Sequence, residues 1–211
     1  MPTRSSPSVP SLRKAVVQAF TPLAASRGFV PFRGGLFVRV VGDVAHQIVV
    51  GASRPSGSAR GAAIELGASL RFARVEAIVE RALPDQPPSH ATWTRAARGP
   101  AREHRIWNTD EARDVAERLE LDDVLEWLEK HASIEALDQA LNPSSPPPAG
   151  LIVGVGAGPH AWHRGLVAAH LLGRDLGWLT EMRRDQARQL PRFVQADLPK
   201  LIAVLDAEPV K

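Results

Sequence analysis

The chain has 211 residues, of which 44% are apolar and 23% charged, an ordinary balance that excludes a wholly disordered protein. It contains no cysteine, which excludes disulfides and thiolate metal sites. No apolar run approaches the roughly 20 residues that cross a bilayer, and the N-terminus has no apolar signal core. We therefore expect a cytoplasmic protein that has no membrane partner.

The net charge of +3 hides a strong segregation of charge along the chain. Residues 1–105 carry 15 basic and 6 acidic side chains (net +9), residues 106–142 carry 3 and 11 (net −8), and residues 143–211 carry 8 and 6 (net +2). The acidic stretch from Asp110 to Asp138 has two interpretations. It either neutralises the protein's own arginines, or it docks a basic partner protein and speeds its association.

The first predicted element is an amphipathic helix that begins at Ser11, after an N-terminus (1–10) that we expect to be disordered. Its apolar residues recur at i, i+3 and i+4 spacing, so they share one helix face. Pro22 should kink or restart this helix, and Gly28 should end it.

Two apolar strands follow, near Leu36–Val41 and Val44–Val50, joined across Gly42-Asp43. A two-residue turn sets Arg39 opposite His46, whereas a turn one residue longer moves His46 to the other face. Both faces of the hairpin are largely apolar. The sheet is therefore covered on both sides, or covered on one side and contacted by a partner on the other.

Short strands and helices are predicted over the rest of the first 142 residues. The strands are Ala62–Leu70, Thr92–Ala97 and His104–Trp107, and the helices are Phe72–Leu83, Asp110–Glu120, Asp122–His131 and one that Ser133 caps. Asn108 and Glu111 have the spacing of a capping box. The pattern predicts an α+β fold, an antiparallel β-meander flanked by helices.

A Pro-rich linker, residues 143–150, separates this α+β domain (11–142) from a helical C-terminal region (151–211). The predicted C-terminal helices are His160–Leu172, Asp175–Leu190 and Leu198–Ala207, the last of them capped by Asp197 ahead of Pro199.

Arg39 and His46, with Glu65 on the next strand, are candidate binding residues on a sheet face. The functional interpretation is an anion or acid–base site, and the structural one is a cross-strand polar pair. Nothing in the sequence places a nucleophile or a paired carboxylate beside them. We therefore predict no catalytic residue and expect that the protein is not an enzyme.

A second candidate surface interleaves aromatic and basic side chains. This surface could stack bases and bind phosphates. Its residues are Trp93, Arg95, Arg98 and Trp107, with Arg102 and Arg105 between them. Arginine–aromatic stacking within one protein gives the same pattern.

Two further motifs are interpreted as structural. His160, His163 and His170 share one helical face, but no acidic residue joins them there, so we predict no metal. The glycines from Gly154 to Gly158 have neither the spacing nor the following strand of a dinucleotide site, so we predict no cofactor.

The pattern of residues also resembles a known family. Five elements are similar to those of the bacterial domain-of-unknown-function family numbered four-three-zero-four. They are the helix ending at Gly28-Phe29, the strand around Leu36–Arg39, the strand with Ile64–Gly67, the Trp93/Arg95 strand and the helix with Val124–Leu128. The resemblance covers about residues 11–141 and implies an α+β domain, with no established activity or catalytic residue.

Three functions follow in order of preference. The first is a non-enzymatic protein-binding module, immunity-like or regulatory. The second is a nucleic-acid-binding accessory protein that uses the Arg/Trp-rich surface. The third is an enzyme or metal-binding protein that uses the histidines or the pair of Arg39 and His46.

Overall fold

The computed structural model describes residues 7–95 apart from 56, 58 and 59, residues 104–142 and 161–174, residue 177, and residues 192–208. Helix α1 (Val9–Ser26) begins two residues earlier than predicted, because the Ser8 hydroxyl accepts a hydrogen bond from the Ser11 N–H. The helix continues through Pro22 without restarting. Its predicted apolar face is confirmed by the buried residues Leu12, Val16, Phe20 and Ala24.

Gly28 ends the helical region, as predicted. Its φ of +79° is one that L side chains rarely adopt, and its N–H donates to the Ala25 carbonyl at 3.0 Å. The chain then enters the short strand β1 (Val30–Pro31) directly.

The hairpin of β2 (Leu36–Val41) and β3 (Val44–Ser53) has the two-residue turn. Val41 pairs with Val44 across Gly42-Asp43, and Gly42 has a φ of +57°. The register therefore places Arg39 directly opposite His46.

The sheet is completed by β4 (Ala62–Phe72), β5 (Trp93–Thr94) and β6 (His104–Ile106). The strand order is β1-β2-β3-β4-β5, and β6 pairs with β4 in antiparallel fashion. This meander with its flanking helices confirms the predicted α+β class.

The remaining described helices are α2 (Ala73–Ala82), α3 (Ala112–Arg118), α4 (Leu121–His131), α5 (Ile134–Leu141), α6 (Ala161–Leu171) and α7 (Arg192–Asp206), with a 3₁₀ turn at Thr109–Glu111. Asn108 caps this turn by accepting from the N–H groups of Asp110 and Glu111, at 2.9 and 3.2 Å. Ser133 caps α5 through the Ala136 N–H at 3.1 Å. Both caps were predicted from the sequence.

The predicted start of the last helix is wrong. Helix α7 begins at Arg192, so Pro199 lies inside it. Asp197 is buried and accepts a hydrogen bond from Gln86 at 3.0 Å, and this tertiary contact replaces the predicted capping role.

The chain packs into two units. Unit 1 comprises residues 1–69 and 95–129, and its core includes Phe20 and Phe37, whose rings meet edge to face with centroids 5.4 Å apart. Unit 2 comprises residues 70–94 and 130–211 and is built mainly from α2, α5, α6 and α7. The predicted linker (143–150) and most of the predicted helix Asp175–Leu190 lie outside the described residues, so that domain boundary stays a prediction. Among the described helices, none has the length and apolarity that crossing a membrane requires.

Candidate functional site

The most exposed apolar surface of unit 1 lies on the hairpin and β1. Val30, Phe32 and Val40 have 66%, 66% and 70% of their surface exposed. Val30 pairs with Val38 across β1 and β2, so the two side chains project from the same face, and Val40 shares that face through the strand alternation. We call Val30, Phe32, Val38 and Val40 the hairpin patch.

The opposite face of the same hairpin is core. Phe37 and Ile48, which pair across β2 and β3, are fully buried. Helix α1 covers this face, since Phe20 meets Phe37 and the Arg13 guanidinium donates to the Val50 carbonyl at 2.8 Å. Of the two arrangements that the sequence left open, the structure favours a sheet with one covered face and one partly open face.

Two unpaired charges lie at opposite ends of the hairpin patch. The Arg33 guanidinium lies 5.6 Å from the centroid of the Phe32 ring, in the turn between β1 and β2. Asp43 is exposed in the turn at the end of β2. Within the described part of the chain, neither residue forms an ion pair.

Arg39 and His46 form the polar cluster that the register predicts. Nη2 of Arg39 lies 3.2 Å from Nδ1 of His46. Because a guanidinium only donates, Nδ1 accepts and the neutral ring carries its proton on Nε2. Burial lowers the pKa of His46, the Arg39 charge lowers it further, and Glu129 partly opposes both.

The prediction that Glu65 joins this cluster is wrong. Glu65 packs against Gly51, while the carboxylate near Arg39 belongs to Glu129 on α4, with Oε1 3.5 Å from Nη2. The sequence could not indicate this contact, because Glu129 lies far along the chain from Arg39.

The other contacts of Arg39 are structural. Its guanidinium lies 4.9 Å from the centroid of the Phe29 ring and donates to the Arg27 carbonyl at 3.3 Å. His46 is only 2% exposed, and its Nε2 has no hydrogen-bond partner within the described residues. A ring this enclosed favours the cross-strand polar pair over an acid–base site.

The Arg/Trp-rich candidates have different environments. Arg95 is bound by Asp123 at 2.8 Å and its side chain is 10% exposed, so it is engaged within the protein. Trp93 meets the His131 ring edge-on, with centroids 4.9 Å apart. Trp107 is 52% exposed and follows the exposed Arg105, whereas Arg98 and Arg102 lie outside the described residues.

Five of the eleven carboxylates in the acidic stretch Asp110–Asp138 form described ion pairs with arginines of the same chain. Its ion pairs, each formed within one unit, are Asp122–Arg27, Asp123–Arg95, Glu129–Arg39, Asp138–Arg174 and Glu117–Arg113. These contacts support the interpretation that the stretch neutralises the protein's own arginines.

The candidate metal histidines do not form a site in the part of the chain that is described. His163 and His170 are buried, and Nε2 of His170 lies 3.1 Å from the Glu208 carbonyl oxygen. His160 and the glycines from Gly154 to Gly158 lie outside that part. No cluster of three potential metal ligands occurs among the residues with described positions.

A cleft of about 560 Å³ lies at the start of α1 in unit 1. Among the described residues that line it, the charged ones are Arg54 and Arg60, and none of these residues is a carboxylate or a histidine. The described lining therefore holds no acid–base pair.

Comparison with known proteins adds no assignment: the chain matches no protein-family model, no curated protein and no solved structure. The resemblance to the bacterial family of unknown function stays a prediction.

Proposed function

We propose that the chain is a protein-binding module of the bacterial cytoplasm, regulatory or immunity-like and non-enzymatic, and that the hairpin patch is its docking surface. The observation that supports this proposal is the exposure of Val30, Phe32 and Val40 together on one face of a sheet whose other face is core. Contiguous apolar patches on folded proteins commonly mark interaction sites.

The patch is a better candidate for the docking surface than the acidic stretch. Five carboxylates of that stretch already bind an arginine in the described structure, so a basic partner would have to compete with these contacts. The patch residues need no such rearrangement, because their apolar surface is already in contact with water.

The proposal is tested with three tagged proteins: the wild type, Val40→Asp and the control Leu172→Asp, which alters a partly exposed leucine of unit 2. Partners captured from the native host are purified and their binding is measured by calorimetry. We expect Val40→Asp to weaken binding at least about tenfold, because a carboxylate would be desolvated at the interface, while Leu172→Asp binds normally. Equal binding by all three proteins would refute the patch as the docking surface.

Nucleic-acid binding is the second candidate, supported by the exposed Trp107 beside the exposed Arg105. Phosphate contacts would make the affinity for a generic oligonucleotide fall steeply as salt rises, and Trp107→Ala should weaken it further. If the wild type fails to bind the oligonucleotide in 20 mM salt, roughly a tenth of the physiological value, the second candidate is rejected.

A further inference from the structure

We infer that the occupant of the hairpin patch is a second copy of this chain, packed face to face about a two-fold axis. This inference rests on the proposed docking role of the patch and specifies the partner. A two-fold interface uses the same surface on both copies, so the surface must complement itself. The hairpin patch meets this requirement in its apolar centre and in its charged ends.

The charges supply the first part of the argument. The Arg33 carbonyl accepts the Leu36 N–H at 2.9 Å, which places Arg33 in the turn that leads into β2, and Asp43 lies in the turn at the other end of β2. The six residues of β2 separate these ends by about 20 Å, with Val38 near the middle. A two-fold axis that passes near Val38, between the two sheets and perpendicular to β2, makes the two β2 strands antiparallel and so brings Arg33 of each copy to Asp43 of the other.

Both charges are available for these contacts. Arg33 and Asp43 are exposed, and neither has a carboxylate or cationic partner in the described part of the chain. Many other charges of unit 1 already have such partners, for example Arg27 with Asp122. The symmetric pairing would satisfy both free charges in each copy and would fix the orientation of the two sheets.

The apolar centre supplies the second part of the argument. Val30, Phe32 and Val40 of one copy would cover the same residues of the other and remove their exposed surface from water. Two sheet faces packed in this way lie about 10 Å apart. Pairing through the sheet edge is less suitable, because β1 has only two residues and Pro31 cannot donate a backbone hydrogen bond.

A charge swap on the full-length protein tests this inference. Sedimentation equilibrium is measured for the wild type, Arg33→Asp, Asp43→Arg and the double variant. Each single variant brings like charges together twice, so we expect its dimer dissociation constant to rise about tenfold or more. The double variant restores two opposite-charge contacts and should dimerise nearly as tightly as the wild type.

Two further variants serve as controls. Arg105→Asp changes a second exposed arginine of unit 1 that has no described ion pair, and it should leave the dimer unchanged. Phe32→Ser removes part of the apolar surface of the hairpin patch. Because Phe32 lies outside the Gly42-Asp43 turn, this variant weakens the proposed interface without altering the turn that Asp43→Arg changes. We expect Phe32→Ser to be folded by circular dichroism and monomeric.

A wild type that is monomeric at millimolar concentration would overturn the inference. A folded double variant that associates no better than the single variants would also overturn it. After either result, the proposed docking role would still hold if Val40→Asp no longer bound a partner protein other than this chain. Failure of the dimer and failure of the docking surface can therefore be distinguished.

Discussion

At the scale of single residues, the cluster of Arg39 and His46 shows how packing decides between chemical roles. Both side chains could serve an anion or an acid–base site. The structure instead holds the guanidinium against the Phe29 ring and His46 Nδ1, with the histidine almost fully buried. An enclosed neutral imidazole next to a fixed cation is a structural element of the core.

This environment predicts a pH-dependent stability. The folded pKa of His46 is lowered from 6.5, so as the pH falls through this value the unfolded chain binds the proton before the folded chain does. The free energy of unfolding should therefore fall as the pH falls from 8 to 5. Urea unfolding of the wild type and His46→Gln checks this. His104, whose pKa is also lowered, should leave a residual slope in the variant.

An unchanged pH slope in His46→Gln would contradict the described burial of the ring. Arg39→Gln is the complementary variant. Removing the positive charge beside the ring should raise the pKa of His46 toward 6.5, so the loss of stability as the pH falls from 8 to 5 should become smaller.

Unit 2 contains a fully buried ion pair. Nε and Nη2 of Arg164 on α6 donate to the two carboxylate oxygens of Glu76 on α2, at 2.8 and 3.1 Å. Neither side chain has appreciable exposure. A pair of this kind costs desolvation energy and fixes one relative position of the two helices.

Breaking this pair should be severe, because the buried Arg164 guanidinium would lose the carboxylate that compensates its charge. We expect Glu76→Gln to lower the free energy of unfolding by about 3–5 kcal/mol in urea titration. Replacing both residues with apolar ones, as Glu76→Leu with Arg164→Met, should recover most of the loss. A double variant as unstable as the single one would indicate that the pair contributes to stability as well as to geometry.

At the scale of elements, the hairpin turn determines which residues face the core. Gly42 adopts a φ of +57°, which allows the two-residue turn and with it the pairing of Arg39 with His46. A shift by one residue would place the side chains of β3 on the opposite face of the sheet. The turn and the alternation of apolar residues therefore specify the same register.

Gly42→Ala should destabilise the hairpin by about 1–2 kcal/mol, because a Cβ atom is unfavourable in the left-handed region. Gly42→Asn should cost less, since asparagine tolerates this region. The added Cβ has no neighbour within 4 Å in the described structure, so the effect is conformational and not steric crowding. Thermal unfolding of the two variants checks the order, and equal losses would contradict it.

At the scale of the whole molecule, the segregated charge is partly neutralised by ion pairs inside each unit. Arginines from the basic first part of the chain bind carboxylates of the acidic stretch, as in the pairs Arg27–Asp122 and Arg95–Asp123. The high pI therefore does not by itself indicate a basic binding surface.

Self-association also has a consequence for the stability of the whole protein. A second copy that binds the folded state stabilises it by mass action, so the melting temperature should rise with protein concentration. Scanning calorimetry of the wild type over a hundredfold range of protein concentration should detect this rise. Once the protein is saturated with its second copy, this range adds about 2.7 kcal/mol to the free energy of unfolding. Arg33→Asp should melt at a nearly constant temperature, and an equal rise in both proteins would contradict the role of Arg33.

The local structure of this protein follows from its amino-acid sequence alone. Four local features depend on residues a few positions apart, because steric and hydrogen-bond preferences act locally. They are the buried face of α1, its end at Gly28, the turn at Gly42-Asp43, and the caps at Asn108 and Ser133. Three features come instead from the packing of distant segments: Glu129 and not Glu65 approaches Arg39, Asp197 binds Gln86, and one sheet face stays partly open. These features depend on contacts between distant segments, which residue pattern and spacing do not encode.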